Sequence, residues 1–190
     1  KLIIRLKKRD ETAFKQLVNV HKGRVYNLCY RMLSNTAEAE DIAQDAFVRA
    51  FLAIESFRGD SQLGTWLYRI AMNLCKNRLK YHARRHRKSH ASLDDVYAGQ
   101  HQPNPHGAGR APIGEAAPRP DLALEGYRAE TRVHRALASV ESEFRELLVL
   151  RDINGLAYDE IKKVTGLPEG TVKSRLHRAR AALKRAYDAQ

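Results

Sequence analysis

Two sets of side chains in this 190-residue chain have types and spacings suited to holding a polyanion. Thr171, Ser174, Arg175 and Arg178 recur at i, i+3, i+4 and i+7, with Lys173, His177, Arg180 and Lys184 beside them. No acidic residue occurs from Thr171 to Tyr187. Arg and Ser on such a stripe can reach base edges, and Arg pairs with guanine through two hydrogen bonds. The flanking cations suit phosphates, which give register and affinity without reading sequence. The second set runs from Ser61 to Leu93, again without Asp or Glu, and includes Arg69, Lys76, Arg78, Lys80, Arg84 and Arg85. Phe57 lies just before it, and Trp66, Tyr68 and Tyr81 lie along it. Cations interleaved with aromatic rings suit single-stranded nucleic acid, where a base stacks while the backbone is held. A loop beside such a helix can take an extruded base. Trp66 falls on the apolar stripe and is expected in the core, so Phe57 on the loop is the expected base contact.

A third set has the opposite sign. Glu40, Asp41, Gln44 and Asp45 share the polar face of one helix. DNA would repel that face, and a basic protein surface would fit it. Metal-dependent chemistry needs more than this. Asp41 and Asp45 have no His, Cys or third carboxylate placed to join them, so no catalytic residue, metal or cofactor is expected. His82, His86 and His90 have i, i+4 spacing, but the Arg and Lys residues among them oppose a cation.

These sets need helices to position them. Phe14, Leu17, Val18, Val25, Leu28, Cys29 and Met32 follow a 3.6-residue period. Asn35 and Glu38 predict a capped start for the next helix. On that helix Ala39, Ile42, Ala43, Ala46, Phe47, Ala50, Phe51 and Ile54 make one stripe. A turn-rich loop from Phe57 precedes a third helix with Leu63, Trp66, Leu67, Ile70, Ala71, Leu74 and Leu79 inward. Cys29 and Cys75 fall on apolar positions and read as small core residues. Periodicity then gives way to a Pro- and Gly-rich span. Beyond it, Val133, Ala136, Leu137 and Val140 mark one helix, and Phe144, Leu147 and Leu148 the next. A short helix from Tyr158, a turn at Gly166 and the basic helix complete a helix-turn-helix. Alternating β patterns are absent. The expected fold is all-α: two small helical domains, residues 1–88 and 125–190, joined by a flexible linker at 89–124.

The net charge of +12 agrees with a polyanionic partner. No apolar run approaches the roughly 20 residues of a membrane span. Residues 1–9 hold too short an apolar stretch for a signal peptide, so no membrane insertion and a cytoplasmic location are expected.

Four motifs, in order, resemble the extracytoplasmic-function group of bacterial sigma factors in the sigma-70 family. They are Ala39-Glu-Asp-Ile-Ala-Gln-Asp-Ala-Phe-Val-Arg-Ala-Phe, Phe57-Arg-Gly-Asp, Thr65-Trp-Leu-Tyr-Arg-Ile-Ala-Met-Asn and Gly170-Thr-Val-Lys-Ser-Arg-Leu-His-Arg-Ala-Arg. The resemblance implies sigma region 2 followed by sigma region 4. It implies that Glu40, Asp41, Gln44 and Asp45 bind the β′ clamp helices of RNA polymerase core, with the β flap as a further contact. It assigns Phe57, Arg58, Ser61, Arg69, Asn73 and Lys76 to the −10 element. It assigns Thr171, Lys173, Ser174, Arg175, His177 and Arg178 to the −35 element. Promoter DNA, double- and single-stranded, and an anti-sigma factor would be partners. Two positions depart from the family pattern. Ala157 replaces a Ser or Thr cap, at a cost of about 1 kcal/mol, and Lys162 must snorkel outward from a tight helix pair. The competing reading of the residues is a stand-alone helix-turn-helix regulator with a sensor or dimerisation domain in front.

Overall fold

The computed structural model describes residues 2–91 and 120–190, the side chains of 86–91 and 120–127 excepted. Its described residues form helices and turns, with no strand among them. The helices are α1 (Leu2–Lys7), α2 (Glu11–Leu33), α3 (Thr36–Ala53), α4 (Leu63–Ala91), α5 (Pro120–Ser139), α6 (Ser142–Leu148), α7 (Tyr158–Thr165) and α8 (Glu169–Asp188). The all-α expectation holds. Helix enters both ends of the span read as linker; the rest of that span lies outside the described residues.

Helix starts follow local chemistry. Asp10 accepts from the Ala13 N–H at 3.0 Å and Asn35 from the Glu38 N–H at 3.0 Å, satisfying donors that a first turn leaves open. Ala157 has no side chain to do this. Its own N–H instead donates to Glu160 Oε2 at 3.0 Å. Gly166 ends α7 at φ 76°, a conformation that costs glycine nothing, and its N–H closes on the Lys162 carbonyl at 2.8 Å. Lys162 points to solvent, as a long cationic stem must.

The antiparallel α2 and α3 pack with α4 around Val25, Leu28, Met32, Ile42, Ala46, Leu67, Ala71 and Met72, all buried. Cys29 and Cys75 lie in this core, free and fully buried. Their mutual hydrogen bond and burial push the Cys75 thiol up, so it stays protonated and serves as packing. A smaller cluster of Leu6, Phe14, Leu17, Ile54 and Phe57 fastens α1 and the loop before α4. In the second domain Leu137, Leu147, Leu148, Ile161, Val172, Leu176 and Ala179 fill the centre. Each buried Leu, Ile or Val contributes about 1.5–3 kcal/mol. That centre is continuous with the core of the first domain, so the two halves are packed together. Val133, expected inward, is 41% exposed. It lies a turn beyond the packed part of α5 and edges a shallow groove with Leu183 and Tyr187.

Candidate nucleic-acid interface

The helix-turn-helix is α7 and α8. Val172, Leu176 and Ala179 bury one face of α8, which leaves Lys173, Ser174, His177 and Arg178 exposed on the other, with Thr171 and Arg175 half-exposed. Neighbouring carboxylates hold part of the array in place. Lys173 pairs with Glu169 at 2.6 Å and Arg175 with Glu143 at 3.1 Å. Arg180 grips Asp152 at 2.6 and 3.1 Å. The Arg178 guanidinium stands over the Phe144 ring at 6.0 Å and Lys173 over Tyr158 at 5.4 Å. These exposed pairs contribute little stability. Their effect is to orient side chains that would otherwise sample many rotamers. The six residues expected for −35 reading thus share one solvent-facing surface.

Four of the six residues expected for −10 reading, Phe57, Arg58, Ser61 and Arg69, converge at the start of α4. Ser56, Phe57, Arg58, Asp60, Ser61, Thr65, Trp66 and Arg69 line a cleft of about 430 Å³, and Lys163 of α7 closes its rim. Asn73 is exposed, and Lys76 is half-exposed, further along the same face of α4. Phe57 does not take the place expected from sequence, whereas Trp66 packs against both apolar clusters and keeps one part open to the cleft. Phe57 is 3% exposed and packs in the small core, 5.3 Å from Trp66, which is half-exposed. The loop after Ile54–Ser56 folds Phe57 back over Leu6 and Phe14, and no period in the sequence reveals that reversal. Gly64 permits the close approach of α2: a Cβ there would stand 2.9 Å from the His21 ring. Burial, then Arg24, holds His21 below the ordinary imidazole range, and its Nδ1 is buried without a partner.

Glu40, Asp41, Gln44 and Asp45 are exposed on α3. Val48 and Leu52 extend the stripe of Asp41 and Asp45 by two turns and are 51% and 63% exposed. Sequence reading missed both. The signal was available: large apolar residues on the polar face at i+3 and i+7 from Asp45. An acidic stripe running into an apolar one fits a basic, amphipathic helical partner.

Sequence reading also missed the seam between domains. Thr65 donates to Glu160 Oε1 at 2.7 Å, Lys76 to Glu146 at 2.8 Å, and Lys163 to the Asp60 carbonyl at 2.7 Å. Arg145 donates to the Met32 carbonyl at 2.7 Å, to Val140 at 2.9 Å and to Ala138. It thereby closes the C-terminal ends of α2 and α5 with one side chain, and burial lowers its pKa. His134 stacks on Tyr30 at 4.4 Å, while Arg31 bonds Glu130 at 2.7 Å. His82, read as part of a basic surface, joins Arg78 on Glu38, at 2.8 and 3.4 Å. Among the described residues no cluster has the make-up of a metal site.

Comparison with known proteins agrees with this geometry. Sigma-70 region 2 matches residues 17–85 and sigma-70 region 4 matches residues 130–183. The chain is 37% identical over 185 residues to the ECF RNA polymerase sigma factor SigW of Bacillus subtilis, covering 97% of this chain and 94% of that one. It is 35% identical to the RNA polymerase sigma-H factor of Pseudomonas aeruginosa, covering 97% and 91%. The fold is similar to that of CnrH, solved in complex with the cytosolic domain of CnrY, at TM-score 0.67 and 23% identity, covering 100% and 96%. It is equally similar to sigma factor RpoE of Bartonella quintana, solved with the anti-sigma factor NepR, at TM-score 0.67 and 24% identity, covering 92% and 96%. Two helical domains, one carrying a helix-turn-helix and the other an acidic helix beside a basic cleft, together with full-length likeness to such relatives, place this chain in the extracytoplasmic-function sigma factors, which direct RNA polymerase to promoters.

Proposed function

We propose a division of labour among three faces. The α3 stripe of Glu40, Asp41, Gln44 and Asp45, extended by Val48 and Leu52, docks on the β′ clamp helices of core polymerase. Thr171, Lys173, Ser174, Arg175, His177 and Arg178 enter the major groove at the −35 element. The cleft at the head of α4 takes an unstacked base of the −10 element. There Arg58 and Arg69 hold backbone phosphates, Ser61 and Asn73 offer hydrogen bonds, Trp66 offers a ring edge, and Lys76 steers the strand along α4. Phe57 serves as the cleft wall. The chain does this in the bacterial cytoplasm without bond chemistry of its own, in keeping with a family of non-catalytic initiation factors. The β flap and an anti-sigma protein complete the set of partners. CnrH and RpoE were each solved with a bound protein, which supports the last of these.

The observation that carries the reading is α8. It has an acid-free, solvent-facing array, set on a turn that only a left-handed residue at Gly166 allows. A helix so presented suits a duplex groove. The stand-alone regulator reading needs a sensor pocket or a dimer seam in the first domain. The α3 and α4 surfaces instead have opposite charges on separate faces, which suits two different partners.

Asp41→Lys tests polymerase docking. The exposed site leaves the fold intact, and core polymerase no longer co-purifies with the variant. Normal recovery of polymerase with it would refute the α3 assignment. Reconstituted transcription on a randomised promoter library reads both DNA elements in one experiment.

A further inference from the structure

We propose that the far end of α4 is a second single-strand site, a stacking platform at Tyr81 that takes a base of the DNA strand while Lys80, Arg84 and Arg85 hold its backbone. None of the three faces described above includes it. The proposal rests on α4 being the strand-facing helix and not on the cleft at its head.

Arg69, Asn73, Asn77, Lys80 and Arg84 are all exposed, and their i, i+4, i+8, i+11 and i+15 spacing puts them on one side of α4. Tyr81 stands one turn from Asn77, Arg84 and Arg85. It is 57% exposed, and among the described residues it is the one aromatic in the set of exposed large apolar side chains. From Trp66 to Tyr81 the helix rises about 22 Å. The ring and the cleft are therefore separate places on one track. The side-chain bonds of α4 to the second domain, at Thr65 and Lys76, stop short of Tyr81.

The local charges fit an anion. Lys80, Arg84 and Arg85 are exposed and make no ion pair among the described residues. On α8, by contrast, Lys173, Arg175 and Arg180 each hold a carboxylate. At Tyr81 nothing has to be released before a phosphate binds. Glu38 does reach this part of α4, but Arg78 and His82 occupy it, and they lie on the other side of the helix from Lys80 and Arg84. His82 also meets the Tyr81 ring edge-on, with centroids 5.9 Å apart. Its hold on Glu38 limits the rotamers of Tyr81, so less freedom is lost when a base stacks. An exposed ring among unpaired cations suits a single strand, because every base offers a face to stack and the backbone follows the cations. A duplex hides its base faces, so the ring would gain nothing from one.

The test uses the full chain at low salt, a randomised single-stranded DNA pool of about 12 nucleotides and a duplex pool of the same length. Tyr81→Trp adds a second tryptophan to Trp66. Its emission, taken as the difference from wild type, is quenched by the single strands and not by the duplex. Equal quenching by duplex refutes the platform. Tyr81→Ala weakens binding of the single strands by about 5- to 100-fold, while Tyr81→Phe, which keeps the ring, stays within about twofold. Lys80→Gln with Arg84→Gln lowers the slope of log affinity against log salt by about 1.4, the share of two phosphates. Lys7→Gln with Lys22→Gln removes the same charge from exposed positions elsewhere and leaves the slope near that of wild type. An equal drop there would mean diffuse attraction and overturn the site. Arg69→Ala separates platform from cleft. If Arg69→Ala weakens binding and Tyr81→Ala does not, the cleft stands and the platform is refuted. If Tyr81→Ala weakens binding and Arg69→Ala does not, the platform stands and the free chain holds its strand there rather than in the cleft. Weakening by both leaves both standing.

Discussion

The two surfaces proposed to face DNA are built from similar side chains and presented in opposite ways. On α8 the cations and Ser174 face solvent, and their carboxylate partners Glu143, Asp152 and Glu169 are themselves partly exposed. On α4 the partners of Thr65 and Lys76 come from the other domain, and Glu146 is buried. The difference is one of desolvation. Exposed pairs exchange readily for phosphate because water already weakens them. A buried pair gives way only when its carboxylate can return to water, which requires the domains to part. Similar sets of Arg and Lys therefore do not make equal anion-binding surfaces; the ease with which each cation is released decides.

Three perturbations sharpen this contrast. The largest effect is expected from Arg145→Ala. The variant leaves the Met32, Ala138 and Val140 carbonyls without their shared donor. Loss of a buried charge-assisted network of this kind should cost about 3–4 kcal/mol. Urea titration should show the lower midpoint, and the distance between spin labels placed at Ala37→Cys on α3 and Ala181→Cys on α8 should widen at denaturant levels the wild type tolerates. Unchanged domain spacing would show that the apolar core alone holds the halves together.

A smaller effect is expected from Arg178→Ala. If the guanidinium reads a base, duplex promoter binding weakens by about 1–3 kcal/mol and specificity relaxes at one position. The packing of the two domains should be unaffected, since Arg178 is exposed and stands over the Phe144 ring of its own domain. Equal use of intact and scrambled upstream elements by the wild type would remove this assignment.

The smallest effect is a pH response of the seam. Burial first, then Arg31 and Arg145, holds His134 below the ordinary imidazole range, with Glu130 acting the other way. The neutral ring faces Arg31 at 3.5 Å and stacks on Tyr30. In the parted chain His134 takes up a proton as pH falls through about 6.5. In the packed chain it does so only at lower pH. Between those points the parted state binds more protons, so packing is firm above about pH 6.5 and weakens below it. His134→Phe keeps a ring on Tyr30 and should flatten the fall in inter-domain order between about pH 7.5 and 5.5. His21, lowered in the same direction, leaves a residual slope within the first domain.

Helix existence, the buried stripe of α3, the Gly166 turn and the exposed face of α8 were all legible from residue types and spacing. These features obey local rules: a 3.6-residue period, cap chemistry and the conformational freedom of glycine. The same rules failed at Phe57 and Val133. Burial of each depends on what lies across from it, which neither a loop nor the period of a single helix reports. Val48 and Leu52 were visible as misplaced apolar residues on a polar face, but their meaning needed the exposed stripe they complete. By itself the sequence determined two helical units, the sign of charge on each surface and the family to which they belong, because composition and periodicity act within a few turns of chain. Only the tertiary structure decided that Lys76 meets Glu146, Thr65 meets Glu160 and Arg145 ties α2 to α5. Those partners lie 70, 95 and 113 residues apart. Which distant carboxylate a cation finds is set by how the apolar faces pack, not by any pattern along the chain.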